Sequence, residues 1–144
     1  MLMRQAQLTD AMDMARLTSQ LGYEVDEADV ARQLERILKD DDHALFVAEV
    51  EDQELAGWVH AHGRHLLEAP SFAEIGGLVV DNRQRRRGIG EKLMRKCEEW
   101  AERKGYREVR LRSAGHRKDA HEFYKKIGYA NVKWQQVFSM PLDR

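Results

Sequence analysis

The hydrophobic period of the chain changes several times, and each change marks a predicted element. Leu2 to Gln7 reads as a short first strand. Met14, Leu17 and Leu21 then recur at helical spacing behind a Thr9 or Asp10 N-cap, and Gly22 stops that helix. Asp26 is a second cap, followed by Val30, Leu34, Ile37 and Leu38 on one face; the acidic turn Asp40-Asp41-Asp42 ends it. Ala44 to Val50 is an apolar run of β type, Asp52-Gln53 a hairpin turn, and Leu55 to His62 the returning strand. In that strand Trp58, His60 and His62 share one face by the period of two. Pro70 closes a loop before Phe72 to Val80, a strand apolar enough to be central. Gly88 to Lys104 carries the clearest helical pattern. Ile89, Leu93, Met94, Cys97, Trp100 and Ala101 form its apolar stripe, and Gly105 is the expected C′ residue. Val109 to Ser113 is a strand, and Asp119 to Ile127 a helix ending at Gly128. Trp134 to Leu142 alternates enough for one or two closing strands. The order β-α-α-β-β-β-α-β-α-β shows no internal repeat and no linker, so residues 1–144 are expected to form one α/β domain.

Composition narrows the class. With 144 residues, 42% of them hydrophobic, and two prolines, the chain can hold a core without staples and is neither collagen-like nor disordered. No apolar run approaches the roughly 18 residues of a membrane helix, so no membrane partner is expected. The first residues lack the apolar core of a signal peptide, and a single cysteine makes no intrachain disulfide. A cytoplasmic location follows as the expectation. Lys and Arg number 24 against 25 Asp and Glu, for a net charge of −1, which argues against a nucleic-acid partner. The charge is uneven, however. Residues 24–54 are acid-rich, while Arg83, Arg85, Arg86 and Arg87 form a positive knot that suggests a local anion site.

That knot leads through Gly88-Ile89-Gly90 straight into the strong helix. A helix N-terminus has unsatisfied N–H groups and a partial positive charge, and glycines let an anion approach the backbone closely. The stretch therefore has the makings of a phosphate cradle. A P-loop would need Lys-Ser/Thr after the glycine, where Glu91-Lys92 stands; a dinucleotide fingerprint would need a small residue at Leu93. Read alone, a glycine-started helix with solvated arginines accounts for the same pattern.

The pattern Arg85-x-x-Gly88-x-Gly90 after an apolar strand resembles the acetyl-CoA-binding motif of the GCN5-related N-acetyltransferase (GNAT) family. Ala120-His121-Glu122-Phe123-Tyr124-Lys125-Lys126-Ile127-Gly128-Tyr129 is similar to that family's later signature, Ala-x-x-Phe-Tyr-x-x-x-Gly-Phe/Tyr, and the spacing between the two also matches. The resemblance covers nearly the whole chain. It implies a twisted, mostly antiparallel sheet splayed between strands 72–80 and 109–113, flanked by about four helices. Acetyl-CoA is the implied cosubstrate. The backbone of Arg87, Gly88, Ile89, Gly90 and Glu91 would hold its pyrophosphate, with Arg85 and Arg86 adding positive potential. The main chain of Leu78, Val79 and Val80 would bond the pantetheine and thioester.

The chemistry implied is attack of an amine on a thioester. An alkylamine of pKa near 10.4 is neutral in only about one molecule in 10³ at pH 7, so a base or a desolvating channel must help. Glu74, 14 residues before Gly88 in a Phe-Ala-Glu-Ile string, matches the basic glutamate of histone-acetylating members. Its alternative is an exposed strand glutamate or a structural ion-pair partner. Leu78, four residues on, matches the backbone N–H that receives the developing oxyanion. That role needs the strand to bulge, which Gly76-Gly77 makes cheap. Tyr124 matches the family tyrosine that protonates the departing thiolate, although its spacing also suits a core stripe. Arg117 stands where many members carry Asn, and could reach a CoA phosphate instead.

Other residues carry less. Cys97 reads as core. His60, His62 and His65 form a loose cluster without a recognised metal spacing, so no metal is expected, and His60 and His62 are placed toward the acceptor or solvent. His121 is assigned no role. The acceptor is expected to be the amine of a small molecule, with a protein N-terminus or lysine as the alternative. Segments 22–30, 62–72 and 130–137, Tyr23 included, would form its walls. Acidic residues there would draw cationic amines. A catalytically silent CoA sensor keeps the fold but leaves Glu74 and Tyr124 without a use. Pairing into a homodimer is common in the family and stays open here.

Overall fold

The alternation in the middle of the chain becomes an open five-stranded sheet. A computed structural model describes residues 1–51, 54–113 and 117–143; the Asp52-Gln53 turn expected above lies outside the described residues. The strands are β1 (Leu2–Gln5), β2 (His43–Glu49), β3 (Leu55–Arg64), β4 (Phe72–Val80) and β5 (Val109–Leu111). They lie in the order β1-β2-β3-β4-β5. Every neighbouring pair is antiparallel except β4 and β5, which run parallel. A parallel pair needs a crossover, and helix α3 (Ile89–Arg103) supplies it. Helices α1 (Ala11–Ser19) and α2 (Glu27–Leu38) join β1 to β2.

The helices start and stop where the sequence provides caps. Asp26 accepts a hydrogen bond from the Asp29 N–H, and Asp29 returns one to the Asp26 N–H, closing a capping box on α2. Gly88, at φ 73, caps α3 in the left-handed region, and Gly105, at φ 90, follows its end. The expected boundaries hold to within a few residues. β1 and β5 are shorter than expected, and β3 runs two residues further, to Arg64.

The two faces of the sheet bury different helices. On one, Leu45, Val47, Leu55 and Val79 pack with Met14 and Leu17 of α1 and Leu34 of α2. On the other lies α3; a side chain on Gly57 would meet Leu93 and the Val79 carbonyl. Cys97 is buried on α3, and burial pushes its thiol up to about 12, as suits a core residue.

The chain divides into two compact units, Met1–Arg112 and Ser113–Arg144. The second holds helix α4 (Lys118–Lys126), closed by Gly128 at φ 110. The strands expected between Trp134 and Leu142 do not form. The stretch has no regular secondary structure, and Trp134, Val137, Phe138, Met140 and Leu142 are exposed. A strand exists only through hydrogen bonds to a neighbour, and the described residues of this unit contain no other strand to pair with.

Candidate active site

The site begins where β4 leaves β5. The parallel pairing covers only Ala73 with Val109, Glu74 with Arg110 and Ile75 with Leu111. β5 then stops, while β4 continues to Val80 with β3 as its one strand partner among the described residues. The sheet therefore opens at Ile75, between the two strands where a splay is expected.

At the same point the β3–β4 ladder slips by one residue. His60 pairs with Gly77 and Ala61 with Ile75, so Gly76 is the extra residue of a bulge. Both glycines lie close under side chains: a Cβ on Gly76 would stand 3.0 Å from His60 Nδ1 and one on Gly77 2.8 Å from the Trp58 ring, so either substitution would press on that ring. The bulge expected upstream of Leu78 is present, and the ladder resumes with Leu78 opposite Val59.

Glu74 sits just before the bulge and is buried, its side chain 12% exposed. Its Oε2 accepts a hydrogen bond from Arg64 Nη1 at 3.0 Å and lies 3.5 Å from His62 Nε2; its Oε1 lies 3.4 Å from Arg112 Nε. These contacts are the ion-pair arrangement, with the carboxylate buried and not exposed on its strand. A carboxylate offers about four lone-pair sites, so these contacts leave it room for a further partner.

Beside Glu74, three imidazoles form a stack. His43 lies 5.2 Å from His60 and 5.4 Å from His62 between ring centroids, and His43 Nδ1 is 2.9 Å from His60 Nε2. Burial, with the neighbouring His43 and His62, pushes His60 down to about 4, so it is neutral at pH 7. The loose cluster expected from the sequence is therefore regrouped. His43, hidden in a different strand, joins it, and His65 leaves it. His65 bridges Ser71 Oγ at 2.8 Å and Asp42 Oδ2 at 3.0 Å, with the Tyr106 hydroxyl also donating to Asp42. That network fastens the β3–β4 loop to the start of β2.

At the far end of β4, Asp81 anchors the turn into α3. It is 1% exposed and takes Arg16 Nη1 at 3.1 Å, Arg83 Nη2 at 3.0 Å and the Arg83 N–H at 3.0 Å. Arg83, above all, holds its carboxyl well below the usual range against the cost of burial. Arg83 is thus spent on Asp81 and Glu54, not on an anion. Arg85, Arg86 and Arg87 are exposed; Arg87 donates to Gln84, and among the described residues no carboxylate pairs with Arg85 or Arg86. Arg86 has φ 68 and Gly88 φ 73, so the backbone turns twice through the left-handed region before the helix. No atom lies within 4 Å of where a Gly88 Cβ would stand, which leaves this helix start open.

In the second unit, Tyr124 is half-buried on α4 against the Phe123 and Tyr129 rings. Burial raises its phenol, and Arg117, the residue capping α4, counters in part. The phenol stays protonated at neutral pH.

Sequence reasoning missed Asp81, Arg64, Arg112 and His43. Arg64 had a usable signal, because it continues the Trp58, His60, His62 face by the period of two. The others depend on which strands become neighbours.

Comparison with known proteins settles the family. A model of the acetyltransferase (GNAT) family matches residues 9–129, which spans both units. The chain belongs to the GNAT family. It is 36% identical over 95 residues to an uncharacterised N-acetyltransferase of Methanocaldococcus jannaschii, a match covering 65% of this chain and 42% of that one. The chain thus spans less than half the length of that relative. It is 28% identical to an aminoglycoside N(6′)-acetyltransferase type 1 of Stenotrophomonas maltophilia, over 97% of this chain and 93% of that one. Among solved structures, an aminoglycoside N-acetyltransferase in complex with CoA aligns at a TM-score of 0.81 and 23% identity, covering 97% of this chain and 99% of the other. The mixed α/β architecture with an open sheet is that of GNAT acetyltransferases.

Proposed function

We propose that the protein is an N-acetyltransferase that moves an acetyl group from acetyl-CoA to the amine of a small molecule. The observation that carries this reading is the opening of the sheet at Ile75, directly beside Glu74 and leading to the open start of α3. GNAT membership, the CoA complex of a structural neighbour and the aminoglycoside-acetylating relative support it.

Acetyl-CoA is the acyl-donor substrate and supplies the activated acetyl group. The N–H groups of Arg87, Gly88, Ile89, Gly90 and Glu91 hold its pyrophosphate, because the first turn of a helix has no internal partners for them. Arg85, Arg86 and Arg117 add positive charge for its phosphates. The main chain of Leu78, Val79 and Val80 binds the pantetheine arm along the unpaired side of β4, and the Leu78 N–H serves the carbonyl oxygen. Glu74 takes the proton of the attacking amine. The new N–C bond forms as the C–S bond breaks, and the Tyr124 phenol gives its proton to the leaving sulfur.

The test is release of free thiol from acetyl-CoA in the presence of an amine panel, with CoA binding followed by calorimetry. Tyr124→Phe is expected to lower kcat about 10²-fold while the CoA affinity stays within about threefold. An unchanged kcat removes Tyr124 from the mechanism. CoA uptake without thiol release for any amine leaves a binding module in place of an enzyme.

A further inference from the structure

The charge around Glu74 has the wrong sign for a polycationic acceptor. On the sheet face that carries Glu74, β3 contributes Arg64, and β5 with the residue just past it contributes Arg110 and Arg112. Two carboxylates oppose these three guanidiniums: Glu74, and Glu108, which holds Arg110 Nε at 2.9 Å. Both oxygens of Glu74 are already engaged. His60, neutral at pH 7, does not change this balance. A second ammonium brought beside Glu74 would meet Arg64 and Arg112, while among the described residues Glu74 and Glu108 are already paired with arginines and Asp40 stands 3.7 Å from His43.

Arg112 is the group with capacity left. Its side chain is 59% exposed, and it approaches Glu74 through Nε, at 3.4 Å. A guanidinium has five N–H donors in a fixed fork, and the two Nη groups are the half suited to a carboxylate or phosphate. Arg110 lies over the Phe72 ring, its Cζ 4.2 Å from the centroid, which places a second positive charge beside the first. We propose that the acceptor is a small amine that also carries an oxyanion (a carboxylate, phosphate or phosphonate), and that Arg112, supported by Arg64 and Arg110, binds this anion while the amine faces Glu74. The inference rests on the N-acetyltransferase reading above and refines its acceptor. The 3.4 Å between Arg112 Nε and Glu74 Oε1 requires the amine and the anion to be joined by a short spacer.

The experiment compares acceptors matched in shape. β-Alanine and 2-aminoethylphosphonate are set against n-propylamine and ethanolamine, and against an aminoglycoside, with thiol release as the readout. The anionic amines are expected to show kcat/KM at least tenfold above their neutral counterparts. Arg112→Gln should remove at least tenfold of kcat/KM for the anionic acceptors and less than threefold for the neutral ones, with Arg112→Lys restoring part of the loss. A preference for neutral or polycationic acceptors overturns the inference and leaves the enzyme reading standing; recognition would then rest with acidic residues such as Glu24 and Glu27. An equal loss for both acceptor types on Arg112→Gln also overturns it, because Arg112 would then only position Glu74. Calorimetry with the same amines in the presence of CoA separates the two readings. Arg112-dependent binding of an anionic amine without acetyl transfer supports the anion site and sinks the enzyme. Neither binding nor transfer of any anionic amine sinks the anion site.

Discussion

The sheet face turned toward α1 and α2 has two halves made by the same alternation. In the row Val47, Trp58, Val79, three adjacent strands present apolar side chains, and α1 and α2 cover them. Four residues along β3, the row His43, His62, Glu74, Arg110 presents only titratable or charged ones. Between them lies Leu45, His60, Gly77, where the bulge begins. Backbone geometry is common to both halves, so the difference lies in what each row can do with water excluded. The first row gains from burial alone. In the second, half-buried row, Glu74 can be buried only because it meets Arg64 and Arg112. Stability should reside in the first half and chemistry in the second, and substitutions can be aimed at that division.

The largest effect is expected in the apolar half. Leu17 of α1 is fully buried in the cluster that covers the first row. Leu17→Ala should cost about 4 kcal/mol in urea unfolding, from lost transfer energy plus the cavity left behind. CoA affinity per folded molecule should stay unchanged. A loss under about 1 kcal/mol would mean that α1 rests only loosely on the sheet.

The mirror experiment belongs to the polar half. Glu74→Gln keeps the shape of the side chain and removes its charge. It should lower kcat about 100-fold, equivalent to about 3 kcal/mol of barrier, and leave CoA binding intact. Should kcat survive while the melting temperature falls, Glu74 would be only the node of an ion-pair cluster, and the division between the halves would fail at its main point.

The histidine stack allows a test by pH. His60 in the folded protein sits at about 4, below the ordinary histidine value of about 6.5 that it recovers on unfolding. Between those values the unfolded chain binds a proton that the folded chain refuses, so stability falls as pH drops from about 6.5 to about 4. The full loss is of order 3 kcal/mol. His60→Gln should flatten this slope. A slope that persists unchanged in the variant would assign it to other groups.

The two halves also differ in how far the sequence revealed them. The apolar row was legible because periodicity reports burial: Trp58 was correctly placed on a shared face with His60 and His62, and the α1 and α2 stripes were visible in Leu17 and Leu34. The glycine-started α3 and the bulge at Gly76 were legible because glycine marks backbone that other residues resist. The polar row was legible only in part, in Glu74 and in the shared face of His60 and His62. His43, Arg64, Glu74 and Arg112 come from four separate segments, and only strand order and register bring them together. The tail failed for a related reason: alternation at 134–142 states that a strand is possible, and it cannot supply the neighbour a strand needs.

Asp81 gives the smallest effect and the sharpest test, because it belongs to neither half. It is a carboxylate buried at the apolar end, yet it fastens the turn that leads to the open helix start. Its partners Arg16 and Arg83 are partly exposed, so water can replace some of what is lost, and Asp81→Asn should cost about 2 kcal/mol at pH 7. The folded-state pKa of Asp81 is depressed, so its contribution is present above the unfolded value near 4 and is lost as pH falls through that range toward the folded value. The stability gap between Asp81→Asn and the parent chain should therefore be full at pH 7 and narrow below pH 4. CoA affinity should fall with it, since the turn of residues 81–88 loses its buried anchor. A variant less stable at pH 7 with full CoA affinity would show that the turn holds its shape without Asp81, and that burial of this carboxylate serves the core alone.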